Sequence, residues 1–130
     1  MKIEFKKVTM ILAVVMFVFC GSCLVNANSS AQSWLGEIAK GGSHSFSKLY
    51  SYPLHQGAAK PTKYGTSMTW TLQKHNGSKY VTKYTQVLSS MSLNKTYWTN
   101  GQNIGSGNAK HIFTANNKFY GNIQTLNATV

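Results

Sequence analysis

From Tyr64 to Gln73 the side chains alternate: Tyr64, Thr66, Met68, Trp70 and Leu72 interleave with Gly65, Ser67, Thr69, Thr71 and Gln73. A period of two is the spacing of a β-strand, whose successive side chains point to opposite faces. It gives this segment one apolar and one hydroxyl-rich face. Asn76-Gly77 follows, and both residues accept the positive φ that a tight hairpin turn needs. The return strand runs from Lys79 to about Leu88, with Tyr80, Thr82 and Tyr84 on one face and Val81, Lys83 and Val87 on the other. A two-residue turn sets Trp70 opposite Lys83. A three-residue turn sets it opposite Tyr84 and makes an aromatic cross-strand pair, which is the register expected here.

The same punctuation recurs along the chain. Phe46, Lys48, Tyr50 and Tyr52 alternate with serines and Leu49 in a strand that begins near His44 and ends at Pro53. Leu54 to Pro61 reads as a loop, because it holds Gly57 and ends on a proline. Ser89 to Ser92 breaks the pattern, Lys95 to Thr99 forms a short strand with Tyr97 and Trp98, and Gly101, Gly105 and Gly107 mark a loop. His111 to Ala115 is a further short strand. Asn116-Asn117-Lys118 turns the chain into a last strand, Phe119 to Val130, with Gly121 as a bulge or a close approach. These six short strands after residue 43 predict an all-β fold, a small antiparallel β-sandwich or barrel spanning residues 44–130. The pattern runs to Val130 without a turn, so either the chain continues or the final strand pairs inward; an open edge there is an aggregation liability.

Residues 1–27 have the layout of an export signal. Lys2, Lys6 and Lys7 precede an apolar run from Val8 to about Phe19, and Val25-Asn26-Ala27 supplies small residues where a signal peptidase reads. The run is short for a membrane span of about 20 residues, so no stable span is expected after cleavage. A retained anchor, or acylation at Cys23, is the competing reading. Both cysteines, Cys20 and Cys23, fall inside this segment, which leaves the rest of the chain without a thiol or a disulfide. Residues 28–43 read as a flexible leader, with Trp34, Leu35 and Ile38 on one side of a possible short helix ended by Gly41-Gly42.

Charge narrows the chemistry. All thirteen basic residues are lysine, Glu4 and Glu37 are the only acids, and the net charge is +11. Beyond residue 27, ten lysines stand against Glu37 alone. Paired-carboxylate catalysis needs two acids near one bond, cysteine nucleophiles are missing after the signal, and no aspartate exists to orient a histidine beside a serine. No enzyme is expected. His44, His55, His75 and His111 are too far apart for a local ligand pair, so the expectation is four surface or loop histidines, no metal and no cofactor.

What remains is lysine interleaved with aromatics. Lys60, Lys63, Lys74, Lys79 and Lys83 fall around the central hairpin beside Tyr64, Trp70, Tyr80 and Tyr84, while Lys110 and Lys118 flank the last one. Lys63, Lys74, Lys79, Lys83, Tyr80 and Tyr84 form the candidate surface-binding set; the competing reading makes the lysines solvated faces and guards of strand edges. Lysine is a hydrated point charge suited to loose attraction toward polyanions. The lack of arginine argues against evolved nucleic-acid reading, so the expected partner is another anionic material, a cell-wall polymer or a lipid headgroup.

The ending Val25-Asn26-Ala27, the Tyr50-Ser51-Tyr52 strand with His55 after it, the Trp70 hairpin, Tyr97-Trp98 and the closing Asn116-Asn117-Lys118-Phe119-Tyr120 segment carry a resemblance over Phe46 to Val130. In these the chain resembles small secreted β-sandwich proteins of Gram-positive bacteria, a group that includes lactococcin-type bacteriocins. It departs from them in its longer approach to the first strand and in lacking an aromatic C-terminus. The resemblance implies a disulfide-free sandwich acting on the envelope of neighbouring bacteria, with a wall precursor as a further candidate partner, and it transfers no functional residue. A non-toxic envelope or matrix component is the alternative.

Overall fold

A computed structural model describes residues 28–129. The export signal expected at 1–27 lies outside the described residues. Nine strands follow one another: β1 (Ser29–Ile38), β2 (Ser43–Tyr50), β3 (Leu54–Tyr64), β4 (Met68–His75), β5 (Tyr80–Leu88), β6 (Tyr97–Trp98), β7 (Gln102–Asn103), β8 (Gly107–Ala115) and β9 (Phe119–Ala128). They form two antiparallel sheets. One has the order β1-β9-β3-β6, with β7 also on β3, and the other the order β2-β8-β4-β5. The expected β-sandwich is what the strands build, and no helix occurs among the described residues.

Alternation places the core between the sheets. Met68, Trp70 and Leu72 of β4 and Phe113 and Ala115 of β8 meet Ala59, Phe119 and Ile123 from the opposite sheet, with Ile38, Leu88 and Met91 closing the rim. Without a disulfide, this burial and the sheet hydrogen bonds carry the stability. Gly57 lies beneath the largest core side chain. A Cβ there would fall 2.6 Å from Trp70 Nε1 and 2.9 Å from Phe113 Cζ, so only glycine lets the indole reach β3.

Several expectations need correction. The flexible leader and short helix of residues 28–43 are instead β1 and the start of β2. Trp34 and Ile38 face inward while Leu35 is 58% exposed, which is the parity of a strand and not the stripe of a helix. The inward set Ser30, Gln32, Trp34, Gly36 and Ile38 holds only two large apolar side chains, so its period of two is hard to see without its partner β9. The expected loop at Leu54–Pro61 is most of β3. Pro61 is tolerated because the β3–β9 register shifts between Pro61 and Tyr64, where a missing N–H costs little. The expected strand from Tyr64 is broken by Gly65, whose φ of 123° only glycine adopts readily. Tyr64 ends β3, and β4 starts at Met68.

The hairpin register also differs. Trp70 pairs with Gln86, and Tyr84 lies opposite Leu72. The turn is centred on Gly77-Ser78, with Asn76 at its corner: Asn76 Oδ1 accepts from the Ser78 and Lys79 amides at 2.9 and 3.1 Å. That moves the pairing by two residues relative to an Asn76-Gly77 centre, and a bulge between Leu72 and Gln73 on the β5 side adds one more. Finally, β9 is an inner strand between β1 and β3. Gly121 is a close approach: a Cβ would collide with the Lys60 carbonyl oxygen and lie 2.7 Å from Pro61 Cα.

Candidate functional site

The six candidate residues do not form one cluster. Lys79, Lys83, Tyr80 and Tyr84 share the β4–β5 hairpin, but Lys63 belongs to β3 in the other sheet. Lys74, expected at the surface, is turned toward the gap between the sheets. It follows Met68, Trp70 and Leu72 in parity, and its ammonium donates to the Ile104 carbonyl at 2.6 Å.

Two exposed groupings of lysine and tyrosine result. On the outer face of the β2-β8-β4-β5 sheet, Lys110 Nζ stands 4.5 Å from the Tyr80 ring centroid, and His75 meets the same ring edge-on at 5.0 Å. Lys79 and Lys83 are exposed on the same hairpin. The register continues this face as hydroxyl rows: Ser47, Lys110, Gln73 and Thr82 lie side by side, then Ser45, Ile112, Thr71 and Thr85, then Ser43, Thr114, Thr69 and Val87. On the other sheet, Lys63 Nζ is 4.6 Å from the Tyr120 ring and Lys118 Nζ is 4.9 Å from the Tyr64 ring. The Tyr64 hydroxyl donates to Glu37, whose carboxylate pushes that phenol's pKa up. Lys118 Nζ is also 3.9 Å from Glu37. The one acid among the described residues is thereby engaged, and the remaining lysines rest on tyrosine rings, a backbone carbonyl or solvent.

The second constellation is buried, and it corrects the expectation of four surface or loop histidines. His75 is half-buried on the hairpin and His44 is stacked on Trp34 with centroids 4.2 Å apart. His55 and His111 are fully buried. His111 shares parity with Ala109, Phe113 and Ala115, and His55 with Gly57 and Ala59, so the alternation alone could have placed both inside. Trp70 Nε1 donates to His111 Nδ1 at 3.1 Å, His111 Nε2 lies 3.2 Å from His55 Nδ1, and His55 Nε2 lies 3.3 Å from the Gly105 carbonyl.

Elimination fixes the protons in this chain. Indole N–H can only donate, so His111 Nδ1 is bare and its proton sits on Nε2. That proton goes to His55 Nδ1, and the His55 Nε2 proton goes to Gly105. Both rings are neutral. Burial lowers the His111 pKa to about 3, with the neighbouring His55 adding to the effect. Burial also lowers that of His55, opposed by its bond to the Gly105 carbonyl and reinforced by Lys74. A metal-ligating imidazole needs an acceptor for its second nitrogen's proton. Trp70 offers His111 a donor, so the pair is oriented as a structural bond between sheets.

Two antiparallel sheets packed face to face around this core define the class: a β-sandwich. No family model and no curated protein matches the chain. Among solved structures, the crystal structure of PirA is similar, with a TM-score of 0.50 and 13% identity over 75% of this chain and 92% of that one. At that identity the likeness is one of fold.

Proposed function

We propose that this chain is a secreted, non-enzymatic cationic protein that binds anionic envelope material of neighbouring bacteria and acts there in the manner of a bacteriocin. The observation that carries this reading is the charge imbalance of the sandwich surface. Ten lysines accompany one carboxylate after residue 27, and that carboxylate is taken up by Tyr64 and Lys118. A tyrosine face attracts an ammonium by its quadrupole without neutralising it. Lys110 over Tyr80 is therefore positioned yet still able to meet an external anion, with Lys79 and Lys83 beside it on the hairpin. The hydroxyl rows next to them suit a polymer bearing both phosphate or carboxylate and hydroxyl groups.

The test compares the protein with a K79Q/K83Q/K110Q variant on purified cell walls. Each lysine near an anionic surface contributes about 1 kcal/mol, so the triple change should weaken binding about a hundredfold at physiological salt. Unchanged binding contradicts the proposal. Growth inhibition of related strains then separates two outcomes: loss of viability supports the bacteriocin-like reading, whereas attachment without harm assigns the protein to the envelope or matrix as a non-toxic component.

A further inference from the structure

His55 is on β3 and His111 on β8, so their bond joins the two sheets across the core. It lies near the end of the sandwich closed by residues 99–106, where the Thr99 amide bonds the Gly57 carbonyl at 2.8 Å and the Ile104 amide bonds the Pro53 carbonyl at 3.1 Å. The groups that face the pair are few. From β2 comes Tyr50, with its ring centroid 5.1 Å from His55 and 5.4 Å from His111. From β4 come the Trp70 indole and the Lys74 ammonium, and the closing segment presents the Gly105 carbonyl. No carboxylate faces them among the described residues, and the nearest fixed charge is positive.

The hydrogen-bond chain has no place for an extra proton. Its two bare nitrogens are His111 Nδ1, which receives the Trp70 N–H, and His55 Nδ1, which receives the His111 N–H. A proton on either sets donor against donor at about bonding distance. It also puts an imidazolium in a dry site beside Lys74, where a buried charge without a partner is costly. We propose that the His55–His111 bond is an acid-opened latch: when the pair takes up protons, the sheets part at the end closed by residues 99–106 and bare Trp70 and Tyr50.

The composition makes this latch unusually easy to isolate. Acid denaturation of most proteins reflects many carboxylates, but Glu37 is the single acid among the described residues. Burial lowers the pKa of His44 as well, so H44Q measures the part of the dependence that lies outside the pair. The sign follows from the lowered native pKa values. Above about 6.5, where an unfolded histidine is neutral, the stability is complete. Below it the unfolded state binds protons that the native pair refuses, and stability falls until the native pair itself titrates.

Urea unfolding of the protein, followed by tryptophan fluorescence from pH 8 to pH 4, is the test. The midpoint should be level above pH 7 and fall continuously below 6.5, with a slope at pH 5 corresponding to between one and two protons taken up. E37Q should leave that dependence unchanged. Hydrogen exchange at pH 5 in the absence of urea should release the Thr99 and Ile104 amides before the Gly41 amide, which bonds Ala115 at the other end. A midpoint level to pH 4.5, a dependence abolished by E37Q, or simultaneous release at both ends would each overturn the latch. H44Q and H75Q, which alter the two histidines outside the pair, should reduce the drop in midpoint between pH 7 and pH 5 by less than a third, whatever they do to the midpoint at pH 8; a larger reduction of the drop also contradicts it.

Discussion

Trp70 shows how much one side chain can settle. Its indole fills the core over Gly57, and its N–H sets the tautomer of His111 and, through it, of His55. Replacing it with Phe keeps an aromatic ring but leaves His111 Nδ1 buried without a donor. An unsatisfied buried group costs about 1–3 kcal/mol, so W70F should lower the unfolding free energy obtained from urea titration at pH 8 by at least that amount while the protein still folds. Glycine positions separate in the same way. G121A drives a methyl into the Lys60 carbonyl and Pro61, backbone that cannot swing aside, and should cost about 3 kcal/mol or more. Gly77 has open space around it but a φ of 100°, so G77A should cost only about 1 kcal/mol. Thermal unfolding of the two variants distinguishes them. That Gly121 marks a bulge or a close approach is legible in the sequence, because glycine interrupts an otherwise full strand; the Lys60 carbonyl and Pro61 beside it decide for the close approach. The buried histidines are legible only by parity, because a histidine's polar ring suits surface and core alike until its partners are known.

A strand that has its own apolar face is legible in the sequence, whereas one whose partner supplies the reason to be a strand is not. β4 and β5 announce themselves through Met68, Trp70 and Leu72 and the Asn76-Gly77 turn. β1 does not, because the polar Ser30 and Gln32 hold inward positions, and Gln32 is satisfied there by other strands: its Oε1 accepts from the Tyr50 hydroxyl at 2.6 Å and from Thr125 Oγ1 at 3.2 Å. A flexible leader and an edge strand make opposite predictions. Deleting residues 28–38 would be harmless to a sandwich that began at residue 44. Here it strips β9 of its ten-residue partner and leaves an open edge, so the truncated protein should aggregate at concentrations where the intact one is monodisperse, as light scattering can show. The turn register was missed by the sum of two small effects, the Asn76 side-chain cap and the extra β5 residue. Asn76→Ala removes acceptors from two amides and should cost about 1 kcal/mol.

At the scale of the whole molecule, fold class followed from alternation and turn spacing, and charge followed from composition, whereas the distribution of that charge over two sheets did not. Lys63 and Lys83 are close in sequence but belong to opposite sheets, and Lys74 is drawn to the Ile104 carbonyl. The sandwich thus carries its lysines in separate groups, of which Lys110 over Tyr80 with Lys79 and Lys83 on the neighbouring hairpin is the one proposed to meet an anionic partner. Attraction of this kind between exposed charges is screened over about 8 Å at physiological ionic strength. The most direct measurement is the affinity of the protein for purified phosphate-bearing wall polymer as salt is raised from 50 mM to 500 mM. The account predicts a fall of at least tenfold, steeper for the protein than for K79Q/K83Q/K110Q; an affinity that does not change with salt would contradict it.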